Sequence, residues 1–107
     1  MFFKRDEQPL LPLGGGLTRR ILAENEEMMA VEVTFERGAV GAMHTHPHTQ
    51  ITYVLSGRFE ATLGDTTKII ETGDSYLTPP HLPHGVLCLE AGALLDVFTP
   101  RREDFLK

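Results

Sequence analysis

The sequence has a single cysteine, no apolar run long enough to span a membrane, and no cluster of basic residues. With Cys88 alone the chain cannot form an internal disulfide, which favours a reducing compartment. Without about 20 consecutive apolar residues, it offers no candidate transmembrane helix. Together these absences predict a soluble, cytoplasmic protein that does not bind membranes.

The charge pattern excludes two further classes. Lys4 and Arg5 come directly after Met1–Phe3, so the apolar region of a secretory signal is missing and none is expected. The basic residues are scattered singly or in pairs, and the formal net charge is −5. Nucleic acid is therefore not an expected partner, because its phosphates need a basic surface. An anionic ligand would need local positive charge, which a metal ion and one well-placed arginine could supply.

What the sequence does contain is a series of short segments rich in β-branched and aromatic residues, separated by glycine, proline, asparagine and aspartate. Residues 29–36 and 58–63 alternate between apolar and polar, which predicts half-buried strands. Residues 51–55 and 93–99 alternate less, which predicts strands covered on both faces. No helical pattern precedes residues 102–106. This pattern in 107 residues, without a repeat or linker, predicts one all-β domain, a sandwich or barrel.

The N-terminal segment is less patterned. Residues 1–16 show no strand periodicity, and Gly14–Gly16 is expected to be flexible. Met1–Phe3 is too apolar for a free tail, so it is expected to pack outside the barrel or on a second subunit. Since the last strand is also apolar, the expected assembly is a two-fold homodimer.

The histidines lie in two segments that strand geometry can bring together. His44 and His46 are two residues apart, so on one strand both imidazoles would point to the same face. Pro47 breaks the ladder, and the side chain of Gln50, which begins the next extended run, can turn back to the same site. His84 opens a further strand that, in a closed barrel, can supply a third imidazole. These residues are predicted to hold one divalent metal ion.

The neutral amide has chemical consequences for such a site. Three imidazoles and an amide oxygen would leave the full charge of a divalent ion in place, which makes a stronger Lewis acid and favours an anionic ligand. Gln50 cannot act as a general base, so proton transfer needs another residue. Nickel, zinc, manganese and iron all accept these ligand types.

Three nearby side chains have less definite roles. His48 is expected on the turn beside Pro47. His81 lies near the predicted barrel mouth and either contacts the substrate or packs within its loop. Cys88 is expected to be a small core residue, because nothing in the sequence surrounds it with the positive charge that activates a thiol.

Asp96 interrupts an otherwise apolar strand near the C-terminus. A buried carboxylate is unfavourable unless it is paired or hydrogen-bonded. Asp96 shares a strand face with Phe98, and Arg102 follows just past Pro100, close enough to fold over the same barrel mouth. Asp96 is therefore either the partner of a structural arginine or an acid/base beside an anion-binding guanidinium and a metal.

Two motifs resemble those of the cupin superfamily. The first is Gly38-x5-His44-x-His46-x3-Gln50-x6-Gly57, and the second is Gly73-x5-Pro79-x2-Leu82-x-His84-x3-Cys88. The resemblance covers about residues 32–98 and implies a double-stranded β-helix, or jelly-roll barrel, with a metal inside. The sequence departs from the family pattern at Gln50, His81 and Cys88, where glutamate, glycine and asparagine are usual.

Residues 50–60 and 95–106 resemble the KdgF family of pectin degradation proteins, and the likeness extends over nearly the whole chain. It implies a metal-dependent cytoplasmic isomerase that opens the ring of 4,5-unsaturated monouronates, released from pectin or alginate, toward 5-keto-4-deoxyuronate. The metal ligands implied are His44, His46, Gln50 and His84. The substrate residues implied are Asp96, Phe98 and Arg102, with Asp96 and Arg102 acting in catalysis.

Two other functions stay open at this point. An iron-dependent cupin dioxygenase would consume oxygen, and a non-catalytic module would bind a sugar acid or a metal without changing it. A shared fold does not separate these possibilities. The residues Asp96, Phe98 and Arg102 favour the isomerase.

Overall fold

The computed structural model describes all residues, 1–107. The strands are β1 (Leu10–Gly14), β2 (Leu17–Glu24), β3 (Met29–Phe35), β4 (Val40–His44), β5 (Thr49–Leu63), β6 (Thr66–Glu71), β7 (Ser75–Thr78) and β8 (His84–Thr99). Short 3-10 segments occupy Arg5–Glu7 and Glu103–Leu106. Neither these segments nor any other part of the structure forms a helix with the length and apolarity needed to cross a membrane.

Two long strands organise the sheet, whose eight strands are all paired antiparallel. β5 and β8 pair from Thr49–Thr99 at one end to Leu63–His84 at the other. The free edge of β8 pairs with β3 and β4, and that of β5 pairs with β6 and β7. The long strands thus run through both halves of a barrel, and the predicted all-β architecture is confirmed.

Both long strands bend where they pass each other, and glycine makes the bend possible. Gly57 has a φ of +87°, and a Cβ on Gly92 would overlap the carbonyl oxygen of Ser56. Register shifts between Val54 and Phe59 mark bulges, which bend a strand without ending it. The sequence predicted separate strands on either side of Gly57 and of Gly92; the structure instead has one continuous strand at each place.

We expect Gly92→Ala to destabilise the protein by about 1–3 kcal/mol, because the added methyl group must displace the backbone of the neighbouring strand. Urea unfolding of wild type and variant measures the loss. Gly38→Ala is the control for an added methyl group without a clash: a Cβ on Gly38 would meet no atom within 4 Å, and only its φ of +83° disfavours alanine. A smaller loss of about 1 kcal/mol is therefore expected. Equal midpoints for Gly92→Ala and wild type would contradict the steric argument.

The apolar core has two parts. The larger cluster contains Phe35, Ala39, Val54, Phe59, Cys88 and Leu94. Cys88 is therefore a buried core residue, as predicted. The smaller cluster contains Met29, Val31 and Phe98. Because the Phe98 ring also lies 5.7 Å from the ring of His46, the smaller cluster forms the floor of the histidine site.

The first half of β5 reverses the usual distribution of polar and apolar residues. Gln50 and Thr52 are buried, whereas Ile51, Tyr53 and Leu55 are 47%, 42% and 38% exposed. The prediction that residues 51–55 are covered on both faces is therefore wrong for the single chain. The inner face of this strand carries the hydrogen-bonding groups of Gln50 and Thr52, so its apolar side chains lie on the outer face, which nothing in the single chain covers. The homodimer, which would cover the outer face, stays a prediction.

The N-terminal segment is more ordered than its sequence predicts. Residues 10–14 form β1, which pairs with β2 through Leu10–Arg20 and Pro12–Thr18. β1 was not predicted because all its residues are exposed and its sequence does not alternate. It is a strand because it pairs with β2. Met1 and Phe2 are fully exposed.

Candidate metal and substrate site

Three imidazoles converge at one end of the barrel. His44 ends β4 and pairs directly with His84, the first residue of β8. His46 follows two residues after His44 and is 6% exposed. One nitrogen of each ring lies within 4.8 Å of the others. The structure therefore brings together the three histidines that the sequence predicted as ligands.

Backbone carbonyls orient these rings. Each Nδ1 atom lies within hydrogen-bond distance of a carbonyl oxygen, which can only accept, so Nδ1 carries the proton and Nε2 keeps its lone pair. The contacts are His44 Nδ1 to Ala42 O at 2.8 Å, His46 Nδ1 to His48 O at 3.2 Å and His84 Nδ1 to Leu82 O at 2.8 Å. Such outer hydrogen bonds are typical of metal-binding histidines.

The inward-facing atoms are poorly satisfied without a cation. Nε2 of His84 is buried and has no hydrogen-bond partner. Nε2 of His46 lies 2.8 Å from Oε1 of Gln50, so two lone-pair atoms face each other. Burial lowers the pKa of both His46 and His84, which keeps them in the neutral form that binds metals. The residues present thus fit a divalent ion held by three imidazole nitrogens and an amide oxygen.

Asp96 lies beside this group on β8. Its Oδ1 accepts hydrogen bonds from Thr52 Oγ1 at 2.7 Å and from Gln50 Nε2 at 3.1 Å. Gln50 therefore turns its amide oxygen toward His46 and its amide nitrogen toward the carboxylate. Removal from water raises the pKa of Asp96 to about 6, and the two hydrogen bonds lower it only in part. In the metal-free protein, a carboxyl with this pKa can both take up and release a proton near neutral pH.

Arg102 and Phe98 cover the same end of the barrel. The Cζ atom of Arg102 lies 5.1 Å from the Phe98 ring centroid and 4.2 Å from that of Phe105. Its Nε and Nη2 donate to the two carboxylate oxygens of Asp104 at 3.0 and 2.8 Å. Arg102 thus pairs with Asp104 and not with Asp96. The structure does not support the alternative in which Asp96 is the partner of a structural arginine.

His44, His84 and Asp96 line a shared cavity of about 160 Å³. This is below the roughly 300–1,000 Å³ typical of sites for drug-sized ligands. Its polar lining consists of Arg19, His44, Gln50, Tyr76, His84, Asp96 and Arg102. A larger groove of about 410 Å³ lies between Phe3 and Phe105 but contains no histidine. The smaller cavity is therefore the candidate site, and its size suits one small ligand.

Two other histidines considered from the sequence, His48 and His81, are not among the residues that line this cavity. His81 is exposed and does not line the cavity; its backbone N–H donates to the carbonyl of His46 at 2.8 Å. A substrate contact through its imidazole stays a prediction. His48 lies with Nε2 3.2 Å from the carbonyl oxygen of Arg101, away from the inward-facing nitrogens.

Sequence reasoning missed Thr52, Tyr76 and Arg19. Thr52 pairs with Tyr76 of β7 on one side and with Asp96 of β8 on the other. Thr52, Tyr76 and Asp96 therefore form one row across the sheet. Burial, with a smaller contribution from Asp96, raises the pKa of the Tyr76 hydroxyl and keeps it protonated. Only the strand register reveals this row, because the residues are far apart in the chain.

Comparison with known proteins gives the family. A model of the cupin domain matches residues 31–98. The pectin degradation protein KdgF of Dickeya dadantii (strain 3937) is 42% identical over 107 residues, which is 98% of this chain and 97% of that protein. The structure of KdgF from Halomonas sp. superposes with a TM-score of 0.93 at 40% identity, covering 98% of this chain and 99% of that one. An RmlC-like cupin from Shewanella frigidimarina NCIMB 400 superposes with a TM-score of 0.94 at 41% identity, over 97% and 94% of the two chains. The chain therefore belongs to the cupin domain family and, within it, to the family of the pectin degradation protein KdgF.

Proposed function

We propose that this protein acts in pectin degradation as an isomerase that opens the ring of 4,5-unsaturated monouronates. The observation that carries the proposal is the continuous contact from His46 through Gln50 to Asp96, which places a proton-transferring carboxyl next to a candidate cation site. The size of the cavity supports a single sugar, and the family supports an acidic sugar from pectin. Alginate-derived uronates have the same reacting atoms and are included.

The reaction needs one proton to move and no atom to be gained or lost. Removal of the proton from the anomeric hydroxyl forms the C1 carbonyl and breaks the bond from C1 to the ring oxygen. The electron pair of that bond goes to the ring oxygen as an enolate, which becomes the C5 ketone when a proton is added at C4. The product is the linear 5-keto-4-deoxyuronate.

Asp96 is the residue proposed to move this proton. Thr52 and Gln50 both donate to its Oδ1, which orients the carboxyl and leaves Oδ2 for the substrate. Phe98 provides an apolar surface for one face of the sugar, and Arg102 covers the cavity with positive charge. A divalent ion on His44, His46, His84 and Gln50 would supply Lewis acidity toward the substrate's oxygens.

A direct assay tests the proposal. Purified protein is added to freshly prepared 4,5-unsaturated galacturonate under nitrogen, with and without a chelator, and the absorbance of the conjugated double bond is followed. We expect rapid loss of absorbance that the chelator abolishes and that added Zn²⁺, Ni²⁺, Mn²⁺ or Fe²⁺ restores. An absolute requirement for oxygen would favour a dioxygenase, and tight binding without loss of absorbance would favour a non-catalytic module.

A further inference from the structure

Arg19 is placed unusually for an arginine on a strand of this barrel. It pairs with Val33 of β3, which in turn pairs with Leu94 of β8, a core residue that is 2% exposed. Since side chains two residues apart share a face, Leu17 and Ile21 lie on the same side of β2 as Arg19. Arg19 therefore projects from the apolar, inward face and lines the candidate cavity.

Its guanidinium has no carboxylate partner. Four arginines are withdrawn from full solvent exposure: Arg19, Arg20, Arg101 and Arg102. The other three each have a carboxylate oxygen within 4.0 Å, whereas Arg19 makes no ion pair. Its Cζ instead lies 3.8 Å from the ring centroid of Phe105. The charge of Asp104 acts on Arg19 from a longer distance, but that carboxylate is bound directly to Arg102. A cation without a direct partner on an inward face is costly, so a role in binding an external anion would explain it.

The neighbouring arginine is less available. Arg102 uses Nε and Nη2 to hold Asp104 in a two-point contact, the geometry in which a guanidinium binds a carboxylate most strongly. A substrate carboxylate would have to displace Asp104 from those atoms. Arg19 needs no such exchange.

The position of Arg19 also suits a ligand that reaches Asp96. Asp96 pairs with Val31, and Val31 pairs with Ile21, two residues from Arg19 on the same face. Two strand spacings separate the backbones of β2 and β8, roughly 10 Å. A sugar ring can lie across this distance, with its acidic group at one side and its reacting centre at the other.

We infer that Arg19 is the residue that binds the carboxylate of the uronate, and that it gives the cavity its preference for acidic over neutral sugars. This inference rests on the proposed function for the identity of the sugar. The ligand class is a monosaccharide with a carboxylate at C6, and the contact is a charge-assisted hydrogen bond from Arg19.

The test compares two sugars that differ only at C6. Calorimetry measures the Kd of D-galacturonate and of D-galactose for the metal-loaded wild type, Arg19→Met, Arg19→Lys and Arg20→Gln. Methionine keeps the apolar stem of Arg19 without its charge, and lysine keeps the charge. Arg20→Gln removes one positive charge from the next position of β2, where Arg20 faces Asp6.

We expect wild type and Arg20→Gln to prefer galacturonate and Arg19→Met to lose about tenfold or more of that preference, the lower end for a hydrogen bond to a charged group. Arg19→Lys should restore part of it. A preference in Arg19→Met within twofold of wild type, or no preference in wild type, would overturn the inference.

This measurement does not need turnover, so it separates the two proposals. If wild type leaves unsaturated uronate unchanged but Arg19→Met loses the galacturonate preference, ring opening is wrong and the role of Arg19 stands. If wild type opens the ring, Arg19→Met should raise KM by about tenfold with kcat nearly unchanged, the pattern of lost binding. A lower kcat at unchanged KM would instead overturn the binding role.

Discussion

Asp96→Asn is expected to slow ring opening by about 10²–10⁴-fold, the contribution usual for a positioned general acid or base. Asparagine keeps the size of the side chain and an oxygen that accepts from Thr52 and Gln50 but cannot take a proton. Single-turnover decay of the substrate's absorbance measures the rate. Metal content, measured on the same samples, should equal that of wild type, because Asp96 is not among the predicted ligands and asparagine keeps an oxygen that accepts from the ligand Gln50.

The same substitution is expected to stabilise the metal-free protein. The folded-state pKa of Asp96 of about 6 lies above the ordinary value of 3.8. At a pH between these two values, Asp96 is protonated in the folded protein and ionised in the unfolded chain. Wild type therefore loses stability as pH rises from about 4 to about 6, and the ionised carboxylate costs roughly 1–3 kcal/mol above that. Asp96→Asn lacks this titration. In urea unfolding with a chelator present, the free energy of unfolding of Asp96→Asn should exceed that of wild type at pH 7 to 8 and equal it at pH 4.

Two results would contradict this account of Asp96. A normal rate in Asp96→Asn would show that another group moves the proton. A parallel fall in rate and metal content would show that Asp96 acts by holding the metal.

His44→Ala is expected to weaken metal binding by more than about 100-fold, because loss of even an outer hydrogen-bond partner of a metal ligand costs 10–100-fold. Ring opening should fall in proportion to metal occupancy. His44 is exposed, unlike His46 and His84, so its removal costs little packing and the folded protein should survive. Equilibrium dialysis with Zn²⁺ or Ni²⁺ gives the affinity.

Thermal unfolding provides a second measurement of the metal site. A ligand at 100 times its Kd stabilises the folded state by about 2.7 kcal/mol, or on the order of 10 °C for a domain of this size. Wild type should show this rise when Zn²⁺ is added, and His44→Ala should not. His81→Asn is the matched control, since His81 has a φ of 69° that asparagine tolerates, and it should bind metal like wild type. Unchanged affinity in His44→Ala would remove His44 from the ligand set.

The histidine cluster could be predicted from the sequence because it depends mainly on the spacing of residues that are close together in the chain. The spacing of His44 and His46 places both on one face, and His84 begins a segment that must return to the barrel. The structure brings them together through the direct pairing of His44 with His84. The strand predicted at residues 29–36 agrees with β3 (Met29–Phe35) to within one residue, and its alternation reflects one buried face.

The rest of the site depends on strand register, which the sequence does not reveal. Thr52 faces Asp96 and Tyr76 only because β5 pairs with β8 and β7 in one particular alignment. The strand β1 escaped prediction for a similar reason, since it exists by pairing with β2. Asp96 could be named as a candidate from the sequence because a carboxylate in an apolar strand is itself unusual. Arg19 is unusual in the same way, because it lies between Leu17 and Ile21 on one face of β2. Its sequence neighbours are Thr18 and Arg20, so this arrangement can be recognised only once β2 is known to be a strand.

The cupin model matches residues 31–98, and both arginines of the cavity lie outside that range. Arg19 comes from the hairpin of β1 and β2, and Arg102 follows the last strand. The middle of the chain thus carries the histidines, Asp96 and Phe98, and the two ends carry the positive charges of the cavity. Substitutions confined to the two ends would therefore change the charge that lines the cavity while leaving the histidine cluster in place.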